Sequence, residues 1–495
     1  MNDTSVFPDP AYHDTVLAPL FEGVKTHHAA DMARINRAHL VMLHETGILG
    51  RDDARTIART LRDIEAETDI ASLHYTGEHE DYFFFVEAAL KQRLGDLGGA
   101  LHTARSRNDM DHTLFKLQLM ARGTALAHQM VALIGAMIET ARRESDTLIV
   151  AYTHGQPAQP TTYGHYLAAA IEVASRDCQR LISALETVEM CPMGAAAITT
   201  SGFPIDRHRM ADLLGFRAPL QNSYGCIASV DYITGLYSAI KLVFLHLGRL
   251  IQDFQFWSAF EVGQLYVPNS FVQVSSIMPQ KRNPVPIEHM RHLASVTLGR
   301  CDTIINTMHN TPFTDMNDSE GEVQQAGYAA FDSGGRMIDL LTAFLPATSI
   351  NRDRVRANTD AACITITELA DTLVRDAGLT FRQAHEIAAA TARDVIARGV
   401  PLSAGYDGFA TAFRAGQGGA EPLGRAAFCD AVAPETFVAR RDRFGGPAPG
   451  ALDAALSDAE ATLANHLRPA VAHRQERVAA AADTLNTAFA ALLED

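Results

Sequence analysis

Two stretches of this chain repeat apolar side chains at helical spacing over lengths that exceed a compact small domain. Leu167, Ile171, Ala174, Cys178, Leu181, Leu185 and Val188 step alternately by four and three residues, which puts all of them on one stripe of a helix. Ile233, Leu236, Ile240, Val243, Leu247, Leu250, Phe254 and Trp257 keep the same alternation. Strand periodicity cannot produce it. Leu119, Leu126, Met130, Leu133 and Met137 form a third, less regular run. Helices of about 30 residues would each be roughly 45 Å long. The second stretch also carries Leu242, Phe244, Leu245 and Ile251 off its stripe, so it needs neighbours on several sides. Self-association, a large monomeric bundle and a coiled coil all satisfy this pattern.

With 495 residues the chain is long enough for a large core, as three small domains or one elongated unit. Its net charge of −16 argues against nucleic acid or an anionic membrane as partner, since both need a basic patch to displace counterions. A local cluster of Arg and Lys can still reverse the field within one cleft. Cys178, Cys191, Cys226, Cys301, Cys363 and Cys429 lie far apart, without zinc-ligand spacing, and read as reduced thiols. The first ten residues lack a basic head and an apolar stretch, and no window of about 20 residues reads as a bilayer span. Cytoplasmic residence is the expectation.

Soft boundaries fall near residues 105 and 355. The predicted regions are an N-terminal helical domain (1–105), a central long-helix bundle (106–355) and a C-terminal helical domain (356–495), the last rich in alanine and interrupted by glycine turns.

Residues 275–288, Ser-Ser-Ile-Met-Pro-Gln-Lys-Arg-Asn-Pro-Val-Pro-Ile-Glu, join two hydroxyls, a lysine, a carboxamide and a carboxylate to backbone breakers. That mixture suits a mobile loop closing over a negatively charged substrate. The run resembles the signature loop of the fumarase/aspartase superfamily. Thr103-Ala104-Arg105-Ser106-Arg107-Asn108-Asp109 and Thr153-His154-Gly155-Gln156-Pro157-Ala158-Gln159-Pro160 narrow the likeness to its argininosuccinate lyase branch, and residues 380–386 and 445–449 extend it over roughly residues 10–450. The resemblance implies a mainly α, three-domain fold assembled as a homotetramer, in which central helices of four chains share one bundle.

The reaction it implies is elimination: a proton leaves the carbon beside a carboxylate, the C–N bond at the next carbon breaks, and fumarate departs. Such a proton is very weakly acidic, because its loss loads a second negative charge onto the carboxylate, and stabilising that state is the central demand. Lys281 and Asn283, a cation and a neutral donor two residues apart, suit it. Ser275 matches the family's base, with Ser276 a competitor on sequence alone, and backbone N–H groups of Ser276 and following residues, with Lys281, are the expected support for its alkoxide. His154 and Glu288 match a pair in which a carboxylate orients an imidazole that delivers a proton to the leaving nitrogen or orders a water. Arg107 and Asn108, with Ser106, match the grip on the succinyl carboxylates, and Thr153 joins that substrate-binding set. Arg105 either shares the task or pairs with Asp109 or Asp111.

Departures concentrate on the amine side. Where argininosuccinate lyases offer a tyrosine, a glutamine and a lysine to the arginine portion, this chain has Asp315, Glu320 and Val323. Val285 replaces an aspartate, Val274 and Ala104 replace glycines, and Ala228-Ser229-Val230-Asp231 lacks an expected arginine. Asp315, Asp318, Glu320 and Glu322 form an acidic run suited to a cationic leaving group, at least two of them belonging to a solvated loop. The simplest account of these changes is a related lyase with an altered amine substrate, while the resemblance itself makes argininosuccinate the default. An aminocarboxylate lyase of the ethylenediamine-disuccinate type is the close alternative, and a crystallin-like structural protein and a C–O lyase acting on malate are the remoter ones. No cofactor or metal is called for, and the sequence has no phosphate-cradling glycine loop or metal-ligand cluster.

Overall fold

The computed structural model describes residues 7–494; Met1–Val6, part of the stretch read for an export signal, lie outside them. Helices α1 (Ala18–His27), α2 (Ala29–Glu45), α3 (Arg51–Glu67) and α4 (Tyr82–Leu94) lead into α5 (Arg107–Arg143). A hairpin, β1 (Leu148–Thr153) and β2 (Gln156–Thr162), precedes α6 (Tyr163–Val188). Then come α7 (Asp231–Ser258), a small hairpin of β3 (Gln273–Val274) and β4 (Arg282–Asn283), α8 (Val285–Thr307) and α9 (Gly321–Ala347). The five long helices α5 to α9 pack in a closed ring, each on the next and α9 back on α5.

Local chemistry sets where these helices begin. Ser106 starts α5 with a capping box, its hydroxyl accepting from Asn108 N–H while Asp109 accepts from Ser106 N–H. Thr162 caps α6 through His165 N–H at 3.1 Å. The residues of all three sequence stripes are buried. Gly334 on α9 lets the Phe244 ring of α7 lie against the helix backbone, since a Cβ there would stand 2.5 Å from the ring. Of the four off-stripe residues on α7, Phe244 and Ile251 are buried, Leu242 is half-buried and Leu245 is 41% exposed. A groove of about 850 Å³ between α7 and α8 runs past Leu245, Val285, Glu288, His289 and Leu298.

Two expectations need revision. By length and composition α5 and α7 are apolar enough to cross a membrane, although no such span was read from the sequence, and their apolar stripes are taken up by the bundle core. Nor do residues 356–495 share one core. Helices α10 (Ile366–Ala377), α11 (Phe381–Arg398) and α12 (Tyr406–Gln417) enclose a separate cluster around Leu373, Phe409 and Phe428. By contrast α13 (Pro449–Thr462) and α14 (Arg468–Leu493) return to the main core through Leu452, Val471, Leu485 and Phe489. Glu189, buried at the end of α6, anchors that return by ion pairs to Arg474 at 2.7 Å and Arg477 at 2.9 Å.

Candidate active site

The start of α5 places Ser106, Arg107 and Asn108 at one end of the bundle. Arg107 Nη1 donates to Asp81 Oδ2 at 2.7 Å, lies 3.1 Å from Glu80 Oε1, and its guanidinium stands over the Phe84 ring. Asp81 caps α4 with its other oxygen, so one carboxylate fixes both a helix start and the guanidinium. Asn108 Nδ2 donates to Ala197 O at 3.1 Å. Arg105 is buried and donates to Asn36 Oδ1 at 2.8 Å, and burial lowers its pKa to about 10. It therefore points into the N-terminal helices rather than toward Arg107's cleft. Asp109, fully buried, accepts from Ser106, Gly194 and Ala196 N–H groups, tying the 194–196 turn to the helix start.

The amine-side residues lie at this same end. Asp315, on the loop after α8, and Glu320, just before α9, face the buried imidazole of His112 at 3.7 and 3.8 Å. His112 Nδ1 contacts the Tyr232 hydroxyl at 3.4 Å. Partly buried Asp111 completes the group. Loss of water contact, then the carboxylate of Asp81, raises it to about 7. Burial and the neighbouring Asp315 and Asp111 push Glu320 up, whereas His112 holds Asp315 below the usual carboxylate range. A cavity of about 430 Å³ opens here, its lining including Glu80, Asp81, Arg107, Asp111 and Glu320 together with Leu114 and Phe115. Asp318 is exposed, a solvated member of the acidic run. Glu80, Asp81 and His112 were absent from the sequence reading, and Asp111 entered it only as an alternative partner for Arg105. The available signal was position: Asp111 follows Arg107 by four residues on a helix and so shares its face.

The remaining candidates occupy the opposite end. His154 sits at the tip of the β1–β2 hairpin, where it and Gly155 have φ of 54° and 73° between the paired Thr153 and Gln156. Two consecutive positive φ values are those of the tight turn whose twist matches a hairpin. The 275–281 loop projects from the β3–β4 hairpin. Ser275 Oγ accepts from Met278 N–H at 3.0 Å and from Ile277 N–H at 3.4 Å, so the donors of the expected nest lie one residue further along than Ser276. Lys281 is exposed, Asn283 is half-buried at the loop base, and Arg282 pins that base by donating to Val267 O and Asn269 Oδ1. Val274 and Ile277 are 86% and 82% exposed. Glu288 lies exposed in the first turn of α8, and no hydrogen bond or ion pair joins it to His154 among the described residues.

One chain thus brings Ser106, Arg107, Asn108, Asp315 and Glu320 together, and carries Thr153, His154, Ser275, Lys281, Asn283 and Glu288 at the far end of the same helices. The 23 residues of α8 alone separate the two groups by roughly 35 Å.

Residues 33–299 match the family described as Lyase, and residues 363–439 that described as Argininosuccinate lyase C-terminal. The chain is 61% identical over 450 residues to argininosuccinate lyase 2 of Agrobacterium fabrum, covering 90% of this chain and 89% of that one. It is 34% identical to the argininosuccinate lyase of Methanosphaera stadtmanae over 72% of this chain and 76% of that one. Among solved structures, EDDS lyase in complex with formate superposes with a TM-score of 0.84 at 29% identity, covering 96% of both chains.

Proposed function

The chain belongs to the lyase family, with the C-terminal module of argininosuccinate lyases, and we propose that it reversibly eliminates fumarate from an N-substituted aspartate. It is a carbon–nitrogen lyase with the fumarase/aspartase fold. In the proposed mechanism the Ser275 alkoxide takes the proton from the carbon beside the succinyl carboxylate, forming the O–H bond as the C–H bond breaks. The electron pair spreads into that carboxylate, where Lys281, Asn283 and Arg107 meet the added charge. It then forms the C=C bond of fumarate as the C–N bond breaks, and the nitrogen takes a proton from His154, directly or through a water, with Glu288 orienting the imidazole.

The observation that carries this reading is the held hydroxyl of Ser275. Two backbone N–H groups converge on its oxygen in the same loop that presents Lys281 and Asn283. An alcohol serves as a base only where donors and positive charge stabilise its anion. Because the two halves of the residue set lie at opposite ends of one chain, the reading requires a homotetramer in which copies contribute complementary ends to each site, working in the cytoplasm.

Argininosuccinate is the default substrate. A second reading, another fumarate–amine adduct of the ethylenediamine-disuccinate type, is favoured by the carboxylates around Arg107 and His112. Incubating the protein with fumarate and arginine, then with diamines, and following fumarate absorbance separates them. Turnover with arginine alone supports the first, turnover with diamines alone supports the second, and no turnover with any amine or with argininosuccinate overturns both.

A further inference from the structure

We propose that Asp111, Asp315 and Glu320, backed by His112, form a subsite for the far end of the leaving amine, and that this end carries a second positive charge and no carboxylate. The inference rests on the lyase reading above and names the class of amine.

His112 has no exposed surface, and its Nε2 finds no hydrogen-bond partner; Asp315 Oδ1, which it faces at 3.7 Å, is also unpartnered. Buried polar atoms left this way mark a place where a polar group is missing. The charge balance says which kind. Asp111, Asp315 and Glu320 converge on one region, and the guanidinium nearby, Arg107, is already matched by Asp81 and Glu80. Burial is the main cause of the upward displacement of Asp111 and Glu320, and the neighbouring carboxylates add to it.

The spacing favours an organic cation over a metal ion. Bonds of about 2.1 Å place neighbouring ligand atoms roughly 3.0–3.4 Å apart, closer than the 3.7 and 3.8 Å found between His112 Nε2 and the two carboxylates. An ammonium bridging acceptors at about 2.8 Å tolerates wider separations. Leu114 and Phe115 in the cavity wall suit a methylene chain running from the Arg107 side toward the carboxylates. A terminal carboxylate would instead enter a region of like charge.

The test compares ethylenediamine, 1,3-diaminopropane, propylamine and arginine as co-substrates with fumarate, in wild type and in Asp315→Asn/Glu320→Gln. The expected result is a kcat/KM for the better diamine at least about tenfold above those for propylamine and arginine. In the double variant that ratio falls by about tenfold, whereas Asp318→Asn, at the exposed neighbour, leaves it unchanged. Should the double variant not fold, Asp111→Asn serves with the same readout. Equal use of propylamine or arginine, an undiminished diamine preference in the variant, or calorimetric binding of Zn²⁺ or Mn²⁺ that diamines do not displace would each overturn the subsite. The lyase reading survives any of these if some amine is turned over, and turnover of none sinks both.

Discussion

Glu288 and Asp315 stand at opposite ends of α8, one in its first turn and the other in the loop beyond its last. A helix buried along one side in a closed ring does not bend to bring such residues together, so any site using both must draw them from different chains. Ser275, Lys281 and Asn283 travel with Glu288, and Arg107 and Asn108 travel with Asp315.

Mixing two inactive variants tests this directly. Arg107→Ala and Ser275→Ala damage opposite ends, so subunit exchange should create sites built wholly from intact ends. If each site draws one end from each of two chains, random reassembly should restore roughly a quarter of wild-type activity. Co-refolding followed by a fumarate absorbance assay reads it. No recovery, with mixed assemblies demonstrated by tagged subunits, would place the working site within one chain.

Ser275→Ala should lower kcat by at least about 10²-fold while leaving circular dichroism and oligomeric mass unchanged. The loop is exposed, so removing one hydroxyl disturbs little packing. Ser276→Ala should retain most activity, because it is the oxygen of Ser275 that the N–H groups of Ile277 and Met278 address. The opposite outcome would move the base one residue along.

Lys281→Met should cost about 3–4 kcal/mol of transition-state stabilisation, the usual consequence of losing one donor aimed at developing negative charge. That corresponds to a kcat lower by about 10²–10³. Its exposed position predicts a urea midpoint within the scatter of surface substitutions, about ±0.5 kcal/mol. A variant with near-normal kcat would remove Lys281 from the mechanism.

The long helices were legible because their stripes repeat beyond any strand's reach, and each stripe residue on α6 and α7 is buried as spacing implied. The hairpin carrying His154 was harder to read. Pro157 and Pro160 argue against a strand, yet a two-stranded ribbon has free edges and takes both, with a bulge near Ala151 and Tyr152. The return of α13 and α14 to the main core was invisible, since alanine-rich helices declare no partner. Motif matching found Arg107 and Asp315 separately. That Arg107 and Asp315 lie at one end of the bundle with Asp111 and His112 depends on α5 and α9 starting there, a tertiary fact that spacing does not contain.

Asp109 supplies a test of the frame around Arg107 through the pH dependence of stability. Burial raises its carboxyl to about 6 from an ordinary 3.8, against the lowering effect of three backbone N–H groups and Arg105. The native state therefore holds this proton more tightly than the unfolded chain does. Its stabilising effect is fully present below about pH 4 and is lost as pH rises through 6. A shift of that size corresponds to about 3 kcal/mol. Asp109→Asn cannot titrate, so the stability of wild type relative to the variant should fall by about 2 kcal/mol between pH 4 and 6 and level off above about pH 7. At pH 4 the variant should also be the less stable protein, because the amide offers one acceptor oxygen where Asp109 uses two, Oδ1 for Ser106 and Oδ2 for Gly194 and Ala196. Urea unfolding at pH 4, 5, 6 and 7, at one protein concentration, measures both effects. A difference that grows with pH instead would mean the carboxylate is the form the fold prefers, stabilised by its N–H partners more than it is penalised by burial.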